Sequence, residues 1–434
     1  MLALYCYHSL FLLFDLLLLR FIWRSSYTPF LHFCLIVEQG FLAAPLSALV
    51  ISKLLEGTAD RNLALHGLAW HGSFFLITSA FLMYRQRRAN GIPRRVLPSL
   101  VLVIGCLYFA LAVDALFIEP TSLVIRETTI TTSKITKPMT IVFCTDLQTD
   151  RVGDYERWTL QKIKEQNADL ILFGGDYIQQ KNNDEGKENK LLEEWNLLFK
   201  EVDLQAPLGI FAVQGNQEYF LPWKEALPWK AMFEGTAITP KETTTSGQID
   251  EIRVTYLSVL NSQKARSYPD KQRGDQFRII VGHMPIFAMA DQEADLLLAG
   301  HTHGGQVQLP YYGPLITNSG DLPRRWASGM THLPNGATLI VSHGSGLQRY
   351  PAPRIRFFCR PDFWVIRLVP ETRITNEKNG ESGFRSKNAR LIGNIFCFAC
   401  PHMHILPVLP TCYTDWSFDG VVACRSCQKT EPIL

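Results

Sequence analysis

The chain changes its hydrophobic rhythm once, near residue 120. Before that point four nearly unbroken apolar runs follow one another, at about residues 2–23, 29–55, 63–84 and 96–119. Each approaches the roughly 20 residues that cross a bilayer as a helix. None carries a polar face of the kind a helix on a soluble core presents. The first run is too long, and too weakly followed by a small-residue cleavage site, to be a signal peptide alone. The pattern predicts an all-α transmembrane region over residues 1–120. Glu38, His66 and His71 lie inside it. An intramembrane polar group serves a function, an interfacial position or a helix–helix hydrogen bond, and the pattern does not choose among these.

From about Lys137 short apolar runs alternate with helical spacing. MTIVFCT (139–145), DLILFGG (169–175), GIFAV (209–213), FRIIVG (277–282) and DLLLA (295–299) read as buried strands. ATLIVS (337–342) and FWVIRL (363–368) read as later strands of the same kind. Residues 155–166 and 191–202 carry helical periodicity, and the charged stretch KNNDEGKENK (181–190) reads as a solvated connection. Strands alternating with helices predict an α/β core over about 137–370. No internal repeat is present.

Charge adds an orientation. The overall balance of +3 gives no reason to expect nucleic acid, and no basic stripe is interleaved with aromatics. The loop RQRRANGIPRR (85–95) is the most basic in the chain, and Arg20 and Arg24 lie between the first two runs. Basic loops stay in the cytoplasm, so the fourth span delivers everything beyond residue 120 to the outer side. The expected protein is integral to the membrane, with its α/β domain on the extracytoplasmic side.

The candidate chemistry sits where the strands end. Asp146-Leu147-Gln148 follows the first and Gly175-Asp176 the second. Gly215-Asn216-Gln217-Glu218 follows the third, Gly282-His283 the fourth and Gly300-His301-Thr302-His303 the fifth. Open α/β sheets place their ligands at such ends. If residues 301–303 are extended, the two imidazoles, two positions apart, point to one side. One carboxylate or amide after a strand is ordinary turn chemistry. Five donor-bearing ends converging on one sheet edge are not.

This order of motifs resembles the calcineurin-like metallophosphoesterase family, whose pattern is Asp-x-His, Gly-Asp, Gly-Asn-His-(Asp/Glu), Gly-His and Gly-His-x-His. The resemblance covers about residues 137–370. It is nearest to a membrane-associated bacterial branch whose last block reads GHTHGGQ and which ends in a serine-and-glycine loop, here VSHGSGLQRYPAPRIRFF (341–358). It implies a four-layer α-β-β-α sandwich, a hydrolase, and two divalent metal ions (Mn, Fe, Zn or Mg). Two ions roughly 3.5–4 Å apart clamp a phosphoryl group and activate a bridging water for in-line attack. Carried over position by position, Asp176 bridges both ions. Asp146, Gln148 and His303 complete one site, and Asn216, His283 and His301 the other. Gln217, Asn216 and Glu218 are the expected catalytic group.

Two positions depart from the family. Gln148 and Gln217 stand where the pattern has histidines. Gln148 still offers a carbonyl oxygen, a neutral and weaker ligand. Gln217 can donate a hydrogen bond but cannot deliver a proton. The substrate then has a leaving group that needs none, such as a phosphate of a diphosphate, or the fold is retained as a binding module. Asp154, Glu156, Glu218, Tyr177 and His343 are candidate substitutes for the acid, with Glu218 better suited to orienting a neighbour. A membrane anchor suits a phosphorylated, lipid-linked or envelope substrate. A sharper alternative is UDP-2,3-diacylglucosamine hydrolysis in lipid A synthesis, which conflicts with an outer location. The tail, 371–434, carries CFAC (397–400) and CRSC (424–427), with His402, His404 and Cys412 between them. Zinc, disulfides or an extension without fixed structure are open there. Cys144 and Cys359 read as single core cysteines.

Overall fold

A computed structural model gives the fold. It describes residues 2–24, 34–35, 38–56, 61–89, 96–179, 185–219, 228–269, 275–317, 319–348 and 353–371. The cysteine and histidine residues of the tail lie outside these.

The apolar runs form helices: α1 (Leu2–Arg24), α2 (Ala44–Glu56), entered through a π-helical turn at Glu38–Ala43, α3 (Arg61–Ala89) and α4 (Val96–Val113). A π-helical turn, Asp114–Ile118, prolongs α4. Among the described residues one stretch, Val96–Thr121, is long and apolar enough to cross a membrane by length and composition. The helices turn large apolar side chains outward: Leu13, Leu17 and Leu107 are each more than half exposed. Inward they hide polar ones. Asp15 and His71 are buried, with His71 Nδ1 2.5 Å from Asp15 Oδ2. His8 Nδ1 lies 3.4 Å from His71 Nε2, and the Gln39 side-chain amide donates to Asp15 Oδ1 at 3.4 Å. Asp15 and His8 were no part of the sequence expectation, because single polar residues hardly alter the hydropathy of a long run.

The rest of this body holds two six-stranded sheets. In chain order the elements are β1 (Val124–Thr132), β2 (Met139–Cys144), α5 (Asp154–Lys164), β3 (Leu170–Phe173), α6 (Glu185–Val202), β4 (Ile210–Val213) and the one-turn α7 (Asn216–Tyr219). Then come β5 (Ile238–Lys241), β6 (Thr245–Ile249), β7 (Ile252–Tyr256), the one-turn α8 (Val259–Ser262), β8 (Phe277–Val281) and β9 (Leu296–Ala299). A small ribbon, β10 (Gln308–Leu309) with β11 (Gly313–Pro314), precedes β12 (Gly329–His332), β13 (Thr338–Val341) and β14 (Asp362–Pro370). The first sheet has the order β1-β14-β2-β3-β4-β5 and the second β12-β13-β9-β8-β7-β6.

The central strands are apolar because both their faces are covered. On β2, Ile141 and Phe143 pack between the sheets against Val254, Ile279, Leu296 and Leu298. Val142 and Cys144 point the other way, to Leu160 and Ile163 of α5 and Trp195 and Phe199 of α6. That is the two-residue alternation of a strand read on two cores at once. The outer face of the second sheet (Ile280, Leu297, Leu339) is covered by Phe287 of a short 3₁₀ turn and by Leu257 beside α8. The expected fourth layer is therefore made of single turns rather than long helices.

All seven expected strands and both expected helices form. Two boundaries move. Helix α5 starts at Asp154, because the Glu156 carboxylate accepts the Gly153 N–H at 2.9 Å and caps it. Helix α6 begins at Glu185, inside the charged stretch expected to be a connection. The sheet also begins before Lys137: β1 pairs in parallel with β14 along its whole length, Val124 opposite Asp362 through Thr132 opposite Pro370.

Candidate metal centre

The five strand ends meet. β2, β3 and β4 of the first sheet run parallel to one another, as do β8 and β9 of the second, so their carboxyl ends open at one edge. Asp146 and Gln148 follow β2, Asp176 follows β3, Asn216 follows β4, His283 follows β8, and His301 and His303 follow β9.

Asn216 Oδ1 lies 2.9 Å from His283 Nε2 and 2.8 Å from His301 Nδ1. Asp176 Oδ1 is 3.3 Å from His283 Nε2. Donor atoms of Asp176, His283 and His301 all fall within 4.8 Å of one another. Beside them His303 Nε2 is 3.5 Å from Asp146 Oδ1, and Gln148 Nε2 is 3.4 Å from Asp176 Oδ2. The seven residues thus form two overlapping groups joined at Asp176, all but Asn216 and His301 fully buried.

The local backbone explains the convergence. Asp146, Gln148, Asp176, His301 and His303 all have positive φ, between 29° and 69°. Such conformations are costly for residues with a side chain and persist where the surroundings fix them. The extended geometry expected for His301 and His303 is not what forms. Thr302 is right-handed between two left-handed residues, and His303 opens a 3₁₀ turn. That alternation aims the His301 N–H at Asp146, 3.1 and 3.0 Å from its two oxygens. Two glycines allow the approach. A Cβ on Gly300 would fall 2.1 Å from Asp146 Oδ2, and one on Gly215 the same distance from the Asp176 carboxylate.

A second set of groups holds these in place. The His283 Nδ1–H donates to Gly174 O at 2.8 Å, which fixes the ring with Nε2 facing the cluster. Glu218 is spent on the backbone: its oxygens accept the N–H groups of Gly215, Asp176, Tyr177 and Ile178 at 3.0, 3.1, 2.6 and 3.2 Å. It ties the loop after β4 to the loop after β3 and is a positioning residue. The Gln217 contact to the cluster is also through the backbone, its N–H reaching Asp176 Oδ1 at 2.8 Å.

The sequence reading missed Arg356. It is fully buried, and its guanidinium donates to the carbonyls of His343, Gly344, Gly346 and Cys359 at 2.5–3.1 Å. That fixes the serine-and-glycine loop, whose Gly346 N–H donates to Asp146 O at 2.7 Å. Its signal was present in the PRIRFF stretch but gave no reason to single out one arginine of several. Of the proposed substitute acids, Tyr177 donates to Val213 O in the core and Glu156 caps α5. Asp154 is fully exposed beside Arg157, and His343 is held by Ser328 and the Arg360 carbonyl.

The electrostatics call for a cation. Burial pushes the Asp146 carboxyl up to about 7, and Glu218 to the same level. For Asp176, burial is outweighed by the His283 ring and by the Gln217 N–H, and its carboxyl is held below the ordinary range. Burial also opposes charge on His283, yet Asp176 and Asp146 raise that ring to about 9. Carboxylates packed this closely draw positive charge to themselves. His303 Nδ1 is buried without a hydrogen-bond partner among the described residues. Carboxylate, amide and imidazole donors in this density fit divalent metal ions.

Fold and site together define a metal-binding phosphoester hydrolase. The calcineurin-like phosphoesterase family matches at residues 139–305. Over 281 residues the chain is 30% identical to the uncharacterized metallophosphoesterase YkuE of Bacillus subtilis, covering 58% of this chain and 88% of that one. It is 27% identical to YkoQ of the same organism, over 48% of this chain and 77% of the relative. It is 26% identical to the UDP-2,3-diacylglucosamine pyrophosphatase LpxG of Chlamydia muridarum, over 49% and 77%. The chain belongs to the calcineurin-like phosphoesterase family.

Proposed function

We propose that the protein is a membrane-anchored, two-metal phosphoesterase acting on a phosphoester or diphosphate bond of a lipid-linked or envelope substrate. The observation that carries this is the pair of donor groups sharing Asp176. Asp146, Gln148 and His303 would hold one ion, Asn216, His283 and His301 the other, and Asp176 would serve both. When bound, the ions neutralise the phosphoryl charge and activate water. The chain supplies the rest. Glu218 and Arg356 fix the loops, and Gln217, at the start of α7, offers a hydrogen-bond donor without a transferable proton. That chemistry favours a leaving group that departs as a stable anion, as a phosphate does from a diphosphate.

The outward apolar surface of α1–α4 supports the membrane assignment of residues 1–120. The basic loops support an extracytoplasmic domain over 137–370. A second reading, UDP-2,3-diacylglucosamine pyrophosphohydrolysis, is favoured by the likeness to the Chlamydia muridarum relative and opposed by that orientation.

The test is metal content and hydrolysis measured together on the full chain in detergent. Bis-aryl phosphate, alkyl monophosphate and nucleoside diphosphate substrates are compared in Mn²⁺, with Asp176→Ala as control. About two ions per chain, with diphosphate cleavage abolished in the control, is the expected result. Less than one ion and no turnover on any substrate would make the protein a binding module.

A further inference from the structure

Far along the helices from the metal centre, α1 and α3 enclose a cleft of about 620 Å³. Its walls are Leu19, Phe81 and Leu82, and its rim carries Arg20, Arg24 and Arg85. Arg20 and Arg24 are one helical turn apart on α1, and Phe81 and Arg85 are one turn apart on α3. Each helix therefore lays a stripe along the same opening. Among the described residues lining it there is no acid.

The flanking sequence is poor in acids, Glu38 being the first after Asp15. Residues 16–37 contain no Asp or Glu, and neither do residues 61–113. Asp15, the nearest acid on α1, is turned into the bundle against His71. The sequence carries further arginines at 87, 88, 94 and 95, and no lysine there. Basic loops alone account for sidedness. They do not account for arginines inside a helix, converging from two elements on an apolar cleft. Guanidinium groups present paired N–H donors that match phosphate oxygens. Phe81 is 60% exposed, so the apolar wall lies on the outside of the bundle, where an acyl chain runs.

We propose that this cleft is a binding site for an anionic phospholipid, its phosphate held by Arg20, Arg24 and Arg85 and an acyl chain lying along Leu19, Phe81 and Leu82. The proposal rests on residues 1–120 being the membrane region. Basic pockets between helices on the cytoplasmic side are places where such headgroups bind. The metal centre has no part in it, so occupancy is read without reference to hydrolysis.

The experiment is native mass spectrometry of the full chain released from nanodiscs containing phosphatidylglycerol and phosphatidylcholine in equal amounts. The expected result is retention of phosphatidylglycerol over phosphatidylcholine by about tenfold or more. That preference should vanish in Arg20→Gln/Arg24→Gln and weaken in Arg20→Lys/Arg24→Lys, which keeps the charge and loses the fork. Helical circular dichroism establishes that the variants are folded. A Leu54→Gln variant, changed on an exposed position outside the cleft, should keep the preference. Equal retention of both lipids, or a preference that survives in the double Gln variant, overturns the proposal. So does displacement of the lipid by millimolar inorganic phosphate, which would make the site one for a soluble anion. Recovery of the chain in the carbonate-soluble fraction would overturn the membrane assignment itself and is scored separately.

Discussion

Gln217 and Glu218 are adjacent and do opposite things. Glu218 is satisfied by four backbone N–H groups and has nothing left for a substrate. Replacing it by Gln turns one acceptor into a donor facing donors. The expected loss is about 1–3 kcal/mol of stability, read by denaturant unfolding. Metal affinity should fall about 10–100-fold, since the loops of Asp176 and Asn216 lose their common tie. Gln217 is the position where a proton donor is missing. Gln217→His should speed hydrolysis of alkyl phosphates, whose leaving groups need a proton, by about 10²-fold or more. Diphosphate cleavage should change little; equal acceleration of both substrates would remove the leaving-group argument. Residue identity was legible in the sequence for the whole cluster. Residue conformation was not: five of its members occupy left-handed backbone, which no pattern of polar and apolar residues encodes. The structure replaced the extended His301–His303 geometry for that reason.

At the level of elements, the legible strands were those covered on both faces, such as β3, LILF, which is buried throughout. β1, VIRETTITT, is an edge strand of half-buried and exposed residues in alternation, and its threonines and charges hid it. β6, TSGQI, was hidden likewise. The omission has a practical result. A chain beginning at Lys137 leaves β14 as a bare, buried-type edge, and such edges recruit other strands. It should aggregate, whereas a chain beginning at Glu119 should be monodisperse by size-exclusion chromatography. Within the helices, the short His71–Asp15 contact is a buried polar tie between α3 and α1. His71→Ala leaves the carboxyl without its nearest partner and should cost about 3–5 kcal/mol, seen as a lower melting temperature in detergent.

For the whole molecule the proposed sidedness rests on the arginines at the end opposite the α/β domain. Protease added to sealed right-side-out vesicles should digest the domain, and inverted vesicles should protect it. The reverse pattern would restore the cytoplasmic lipid A reading. The joint between the two regions is short and tightly bonded. The Arg356 N–H donates to Ala115 O at 3.0 Å, and Glu119 accepts the N–H groups of Phe358 and Cys359. Those bonds run from the last helix directly into the segment that supports the Asp146 loop. A catalytic domain fastened in this way has no tether on which to swing toward bulk solvent. With residues 1–120 in the bilayer and a lipid-linked substrate, as proposed above, it would survey a layer of fixed stand-off from the membrane and meet its substrate by lateral diffusion in two dimensions. Its turnover should therefore follow the mole fraction of substrate among the lipids rather than the concentration in the surrounding water.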